Sequence, residues 1–347
     1  MARPFKFRAL VMKPARVRKL GKAMGTILKG LAAASTALIP SPASPAKSRP
    51  ASPKPAVAAK HKAATPAMGF TQHSFANAHG SRDYKLYIPA IPHKRAVPLV
   101  VMLHGCGQTP DDFAAGTQMN RLADTHGFLV AYPAQPPSAN ASKCWNWFSA
   151  KHQKRGNGEP ALIAGITRQI MKDHKVDPRR VYIAGLSAGG AAAAIMADAY
   201  PDLYAAVGVH SGVACGAASD MMSAHAAMTK GATVAPRDGR SRIGRPLIVF
   251  HGDNDRTVHP SNAEVLIARR GVEPGIRIAQ NGGKTSGGIP FTRTVYSDRA
   301  GKSVMENWRV HKGGHAWFGG SSAGSYATPD GPDASREMIR FFLEHAL

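Results

Sequence analysis

The first 69 residues contain no aspartate or glutamate, although 21 acidic residues occur in the chain of 347. Fourteen of the 45 lysines and arginines fall in that segment, so from residue 70 onward 31 basic residues meet 21 acidic ones, a net +10 out of an overall +24. A nucleic-acid-binding domain is disfavoured, because more than half of the excess charge sits in a segment that reads as having no fold of its own. Cysteine is scarce. Cys106, Cys144 and Cys215 are too few for a disulfide scaffold, and no CxxC or CxxH spacing marks a metal site. One disulfide with a thiol left over fits an exported protein, while three small buried hydrophobes fit any compartment. Beyond the first 40 residues no run approaches the ~18 apolar residues of a membrane span. No metal or organic cofactor is called for.

Residues 1–69 read as a basic, Ala/Pro/Lys-rich tail, mostly disordered. From Phe5 to Leu31 apolar residues alternate with Lys and Arg, the pattern of a basic amphipathic helix that lies on an anionic or apolar surface, interrupted at Pro14. Pro40 to Pro66 is Ala, Pro, Ser and Lys, a tether. A secretory signal competes with this reading. Met24 to Pro40 is apolar except for Lys29, follows a basic stretch and precedes small residues near Ser44 and Ala46. The whole chain is 44% hydrophobic, and positions 70–347 suffice for one large-cored catalytic domain.

Two short strands around Ala78, His79 and Gly80 open that domain as a hairpin. Pro98 to Leu103, Phe128 to Pro133, Val181 to Gly185, the run AAVGVHSG and Pro246 to Gly252 are apolar strands. Asp111 to His126, Pro160 to His174 and Ser335 to His345 read as helices. FTRTVYSD and SVMENWRV form a late strand pair around Arg299-Ala300-Gly301. Strand alternating with helix implies an α/β fold: a mostly parallel central sheet with helices on both faces and chemistry at the strands' carboxyl ends.

Gly185-Leu186-Ser187-Ala188-Gly189 stands between the strand VYIAG and an alanine-rich helix. This is the setting of a nucleophile elbow, whose flanking glycines relieve crowding in a tight strand-to-helix turn. A serine hydroxyl needs a base and the base needs an orienting acid, in the chain order serine, acid, histidine for an α/β-hydrolase fold. The loop after PLIVFHG offers Asp253 and Asp255, and Asp255 is favoured because it lies further along. VMENWRVHKGGHAWFGG offers His311 and His315. His315 is favoured because Gly313 and Gly314 free the loop to turn back. His104, His210 and His251 each end a strand and read as buried, hydrogen-bonded side chains. Oxyanion donors are expected from the amides of Ala188 and Cys106. Trp145, Trp147, Phe148, Trp317 and Phe318 flank the cleft in sequence, with Trp145 and Trp317 the candidates for substrate contact. Glu159 reads as a helix-capping carboxylate.

Taken together, LHGCGQTPDDFA, KCWNWFSAKHQKRGNGEPALIAGITRQI, VYIAGLSAGGAAAAIMA, VGVHSG and GGHAWFGG resemble the polyhydroxybutyrate depolymerase family of esterases, α/β-hydrolases grouped with feruloyl and acetylxylan esterases. The resemblance runs from about Phe75 to His345. It implies Ser187 as nucleophile, Asp255 as acid, His315 as base and Cys106 as an oxyanion donor. It also implies a polyester or other ester substrate and an extracellular location. A cytoplasmic protein on polymer granules, held there by the basic tail, is the alternative. A feruloyl or acetylxylan esterase, and a surface-binding protein with a vestigial hydrolase domain, are the competing functions. The tail, Cys215 and the stretch Thr229 to Arg245 match no motif of the family.

Overall fold

The computed structural model describes residues 69–90, 95–233 and 244–347, all within one unit, Ala63–Leu347. The expected basic helix Phe5 to Leu31, the tether Pro40 to Pro66 and most of Thr229 to Arg245 lie outside the described residues.

Strands β1 (Gly69–Asn77) and β2 (Gly80–Ile88) form the opening hairpin, with Asn77 opposite Gly80. There follow β3 (Val97–Leu103), α1 (Pro110–Thr117), α2 (Met119–His126), β4 (Leu129–Pro133), α3 (Gly158–Asp173), β5 (Val176–Leu186) and α4 (Ala188–Ala199). Next come β6 (Ala206–His210), α5 (Met221–Lys230), β7 (Leu247–Gly252), α6 (Asn262–Arg270) and β8 (Arg277–Lys284). The chain closes with β9 (Pro290–Ser297), β10 (Ser303–Val310), the two-residue β11 (Trp317–Phe318) and β12 (Ala327–Thr328), and α7 (Ala334–Leu343). Ten strands make one sheet in the order β1-β2-β4-β3-β5-β6-β7-β10-β9-β8. The six from β4 to β10 run parallel, and antiparallel pairs finish both edges.

The continuous apolar runs of β3, β5 and β7 follow from burial on two sides. Leu99, Val101 and Leu103 face one core with Val181, Ile183, Leu247 and Val249. Val100 and Met102 face the other with Tyr182, Ala184, Ile248 and Phe250. Side chains of α3, α4 and α6 pack on the first face, and those of α1, α2 and α7 on the second. Among the described residues no helix is long and apolar enough to cross a membrane.

Three local departures have physical causes. The helix expected over Asp111 to His126 is two, broken at Gln118, which takes a left-handed conformation (φ 55). The break releases two carbonyls for later segments: Gly116 O accepts from Ser321 N (2.8 Å) and Thr117 O from Ser335 Oγ (2.6 Å). Strand β8 was not anticipated. Its residues RIAQNGGK are almost wholly exposed at the sheet edge and carry no alternation of apolar and polar groups. Glu159 caps no helix. Its buried carboxylate instead accepts from Gln135 Nε2 (2.5 Å), Asn146 N (2.8 Å) and Asn146 Nδ2 (2.7 Å), tying α3 to the segment 135–146 beside the site.

Candidate active site

Strand β5 ends at Leu186 and α4 begins at Ala188, so a single residue, Ser187, makes the turn. Its backbone lies at φ 56, ψ −118, a region that costs a side-chain-bearing residue about 1–3 kcal/mol. Tertiary contacts hold it there. Ser187 N donates to His210 O (2.9 Å) at the end of β6. A Cβ on Gly185 would collide with the Gly189 carbonyl, and one on Gly189 with the Leu103 carbonyl, so only glycine fits at either position. Close approach, not an unusual φ, is what these glycines provide.

The acid and histidine come from two loops stitched together at the carboxyl end of β7 and β10. Asp253 N donates to Val310 O (3.0 Å) and Asn254 N to Gly313 O (3.0 Å), and a side chain at Gly252 would strike Gly313. Neither Gly313 nor Gly314 has a positive φ. Lys312 takes the left-handed turn instead (φ 61), and a Cβ at Gly313 would run into the Phe318 ring. Asp255 Oδ2 meets His315 Nδ1 at 2.7 Å, while Oδ1 accepts from Thr257 N and Val258 N, each at 2.9 Å. Burial acts to raise the Asp255 pKa. The bonds from His251 and His315, the imidazole charge and the Val258 amide outweigh it and hold the carboxyl far below the usual carboxylate range. The alternatives Asp253 and His311 pair with each other on the surface (2.8 Å), each about 36% exposed, apart from Asp255 and His315.

With Nδ1 committed to Asp255, Nε2 of His315 is the nitrogen left to exchange a proton. Among the described residues no hydrogen bond joins it to Ser187 Oγ. His210 couples the two halves. Its carbonyl holds Ser187 N (2.9 Å), and its ring accepts from Phe318 N (3.1 Å), three residues beyond His315. His104, His210 and His251 are all buried. His104 Nδ1 faces Gly105 O (2.8 Å) and its Nε2 accepts from Gln135 N (3.1 Å), a set that only the neutral ring satisfies. Burial lowers its pKa to about 4, against the opposing bond to Gly105.

A disulfide joins Cys106 to Cys144 and pins the loop after β3, while Cys215 takes no part in a disulfide. Gln108 Oε1 accepts from Gly105 N (2.8 Å) within that loop. Among the described residues no hydrogen bond occupies the N–H of Cys106 or of Ala188, the first residue of α4. Both residues line a pocket with Ser187, whose other walls are Trp147, Ala191, Gly212, Val213, Met228 and Val258. Trp145 and Trp317 do not. They are 0% and 1% exposed, and their indole N–H groups donate to His104 O (3.1 Å) and Ser335 Oγ (3.0 Å). They pack the two cores rather than contact a substrate, and Trp147 is the ring at the pocket. The alternation in Cys144-Trp145-Asn146-Trp147 hinted at opposite faces without telling which was open. Met228 and Val258, from α5 and the Asp255 loop, had no signal in the sequence.

Residues 82–287 match the family described as Esterase PHB depolymerase. The chain is 34% identical over 228 residues to poly(3-hydroxyalkanoate) depolymerase C of Paucimonas lemoignei, covering 63% of this chain and 54% of that protein. It thus spans about half the length of that relative. It is 30% identical over 220 residues to feruloyl esterase B of Thermothelomyces thermophilus, covering 58% of this chain and 73% of the other. The acetyl xylan esterase from Aspergillus awamori superposes with a TM-score of 0.62 at 18% identity, over 79% of this chain and 99% of that one. The fold is that of an α/β-hydrolase.

The His104 assignment sets a pH dependence. Its folded pKa of about 4 lies below the ordinary value of about 6.5, so the unfolded chain takes the proton first as pH falls. Its contribution is intact above pH about 6.5 and is lost toward about 4, at up to roughly 1.4 kcal/mol per pH unit. Urea unfolding across this window should show a slope shallower by up to one proton in His104→Asn than in the wild type. An unchanged slope would mean that the buried ring is not held neutral.

Proposed function

The chain belongs to the esterase PHB depolymerase family, and on that premise we propose that it is a serine esterase that cleaves carboxylic esters through Ser187, His315 and Asp255. The observation that carries this reading is the pairing of the buried Asp255 carboxylate with the partly buried His315 at 2.7 Å, built from loops that pack together where the Ser187 turn is held. Ser187 Oγ adds to the ester carbonyl as His315 Nε2 takes its proton. The carbonyl oxygen becomes an anion facing the amides of Cys106 and Ala188, each worth about 3 kcal/mol of transition-state stabilisation. Collapse breaks the bond to the alcohol, which leaves with the proton returned by His315. Water then repeats the sequence on the acyl-enzyme and releases the acid. Asp255, ionised throughout, holds the imidazole tautomer and balances its transient charge.

Ser187→Ala should lower turnover of a soluble ester about a million-fold with the fold retained, and Asp255→Asn about ten-thousand-fold. Asp253→Asn should stay within a few-fold of the wild type. Comparable losses at 253 and 255 would transfer the role of the acid away from Asp255.

The walls Trp147, Val213, Met228 and Val258 are apolar and close to Ser187, which supports a short aliphatic acyl group such as the 3-hydroxyacyl unit of a polyhydroxyalkanoate or its oligomers. Acetyl groups fit the same walls, which keeps acetylated polysaccharide as the second reading. The Cys106–Cys144 bond supports residence in an oxidising compartment, outside the cytoplasm. The fourteen basic residues among the first 69, with no acidic ones, support attachment to a granule or anionic surface. Release of 3-hydroxybutyrate from amorphous polymer should exceed release of acetate from acetylxylan or of ferulate from its esters. Adsorption to the polymer should weaken as salt rises. Preferential acetate release would establish the second reading, and salt-independent adsorption would remove the tail's charge from the attachment.

A further inference from the structure

Tyr326 combines two costs in one residue. Among the described residues it is the only Phe, Tyr or Trp whose side chain is exposed, at 55%. It is also held in the left-handed backbone region (φ 51), unfavourable for a side-chain-bearing residue. Its neighbours enforce the geometry. Tyr326 O accepts from Trp317 N (2.7 Å), and the next two residues pair with Trp317 and Phe318 as β12 on β11. On the other side, Ser325 N and Oγ donate to Asp112 (2.8 and 2.6 Å), and Ser325 O accepts from Gln108 Nε2 (2.7 Å). Gln108 is the side chain that also braces the Cys106 loop through Gly105 N. The ring so placed stands edge-on to His315, with centroids 6.5 Å apart and planes at 74°.

We propose that Tyr326 forms the apolar wall of the subsite for the alcohol portion of the ester and selects for alcohols larger than one or two carbons, such as the next unit of an oligoester. The inference rests on the serine-esterase reading above. His315 returns its proton to the departing alkoxide, so the alcohol lies on the histidine side of Ser187. The acyl group is assigned to the pocket that contains Ser187, whose walls include Trp147, Val213, Met228 and Val258 but neither His315 nor Tyr326. An exposed ring beside the proton donor therefore meets the alcohol and not the acyl chain. Covering that ring recovers apolar area left in water in the unliganded protein.

The test holds the acyl group constant and varies the alcohol. Methyl butyrate and cyclohexyl butyrate give the same butyryl-enzyme but differ in the group that would meet Tyr326. Tyr326→Gly removes the ring while suiting the positive φ, and Tyr326→Phe keeps the ring. We expect Tyr326→Gly to lower kcat/KM for cyclohexyl butyrate about tenfold, mainly through KM, and to leave methyl butyrate and the rate of butyryl-enzyme hydrolysis within about twofold. Tyr326→Phe should behave as wild type on both esters. Equal losses on the two esters, altered deacylation, or no loss on either would overturn the proposal. Such results would leave ester hydrolysis itself in place, whereas failure of both esters to turn over in the wild type would strike the esterase reading instead.

Discussion

The approach of the α4 N-terminus to the carboxyl ends of β3 and β5 is the constraint on which the rest of the site depends. Backbone meets backbone there with no room for a β-carbon at Gly185 or Gly189. The approach leaves Ser187 as a one-residue turn and sets Ala188 N at the start of a helix, where the peptide dipoles favour negative charge. It also brings the loop carrying Cys106 alongside the serine. The strain at Ser187 persists because its N–H is held by His210 O and because α4 is buried along almost its whole length.

Around that turn the loops are coupled by polar contacts, buried near Ser187 and more exposed toward Ser325, rather than by regular secondary structure. His210 reaches both ways, with its carbonyl on the serine amide and its ring on the amide of Phe318. His104 and Glu159 hold the segment 135–146, which returns through the Cys106–Cys144 bond to the loop after β3. Gln108 and Asp112 carry the same bracing to Ser325 and hence to Tyr326. The contacts of His210, His104 and Glu159 with the Phe318 amide and with Gln135 are buried, where an unmade hydrogen bond is costly, so these loops have few alternative arrangements. Rigidity of this kind is what a site needs when charge develops faster than loops can move.

The local grammar of strand and helix was legible because both faces of the sheet are buried. Continuous apolar runs at β3, β6, β7 and the second half of β5 mark the layers, and the Gly-Leu-Ser-Ala-Gly run marks the strand-to-helix turn unaided. The helix after β3 was misjudged because nothing in Gly116-Thr117-Gln118 announces that its carbonyls are needed by residues two hundred positions later. Edge strand β8 was missed for the opposite reason, its exposed residues having no core to report. The tryptophans illustrate the same limit. Composition placed aromatic rings near the cleft, but which of Trp145 and Trp147 faces it depends on the path of a segment pinned by a disulfide and by Glu159.

The sequence by itself determined the layered α/β architecture, the tight strand-to-helix turn at Ser187 and the short lists of candidate acids and histidines, because these follow from periodicity, glycine spacing and chain order. Tertiary structure alone paired Asp255 with His315 and Asp253 with His311, joined Cys106 to Cys144, moved Trp145 and Trp317 into the core, and set Tyr326 beside His315. The reason is one of range. Periodicity is a property of neighbours along the chain, whereas hydrogen-bond partners and burial depend on which distant segments fold against each other.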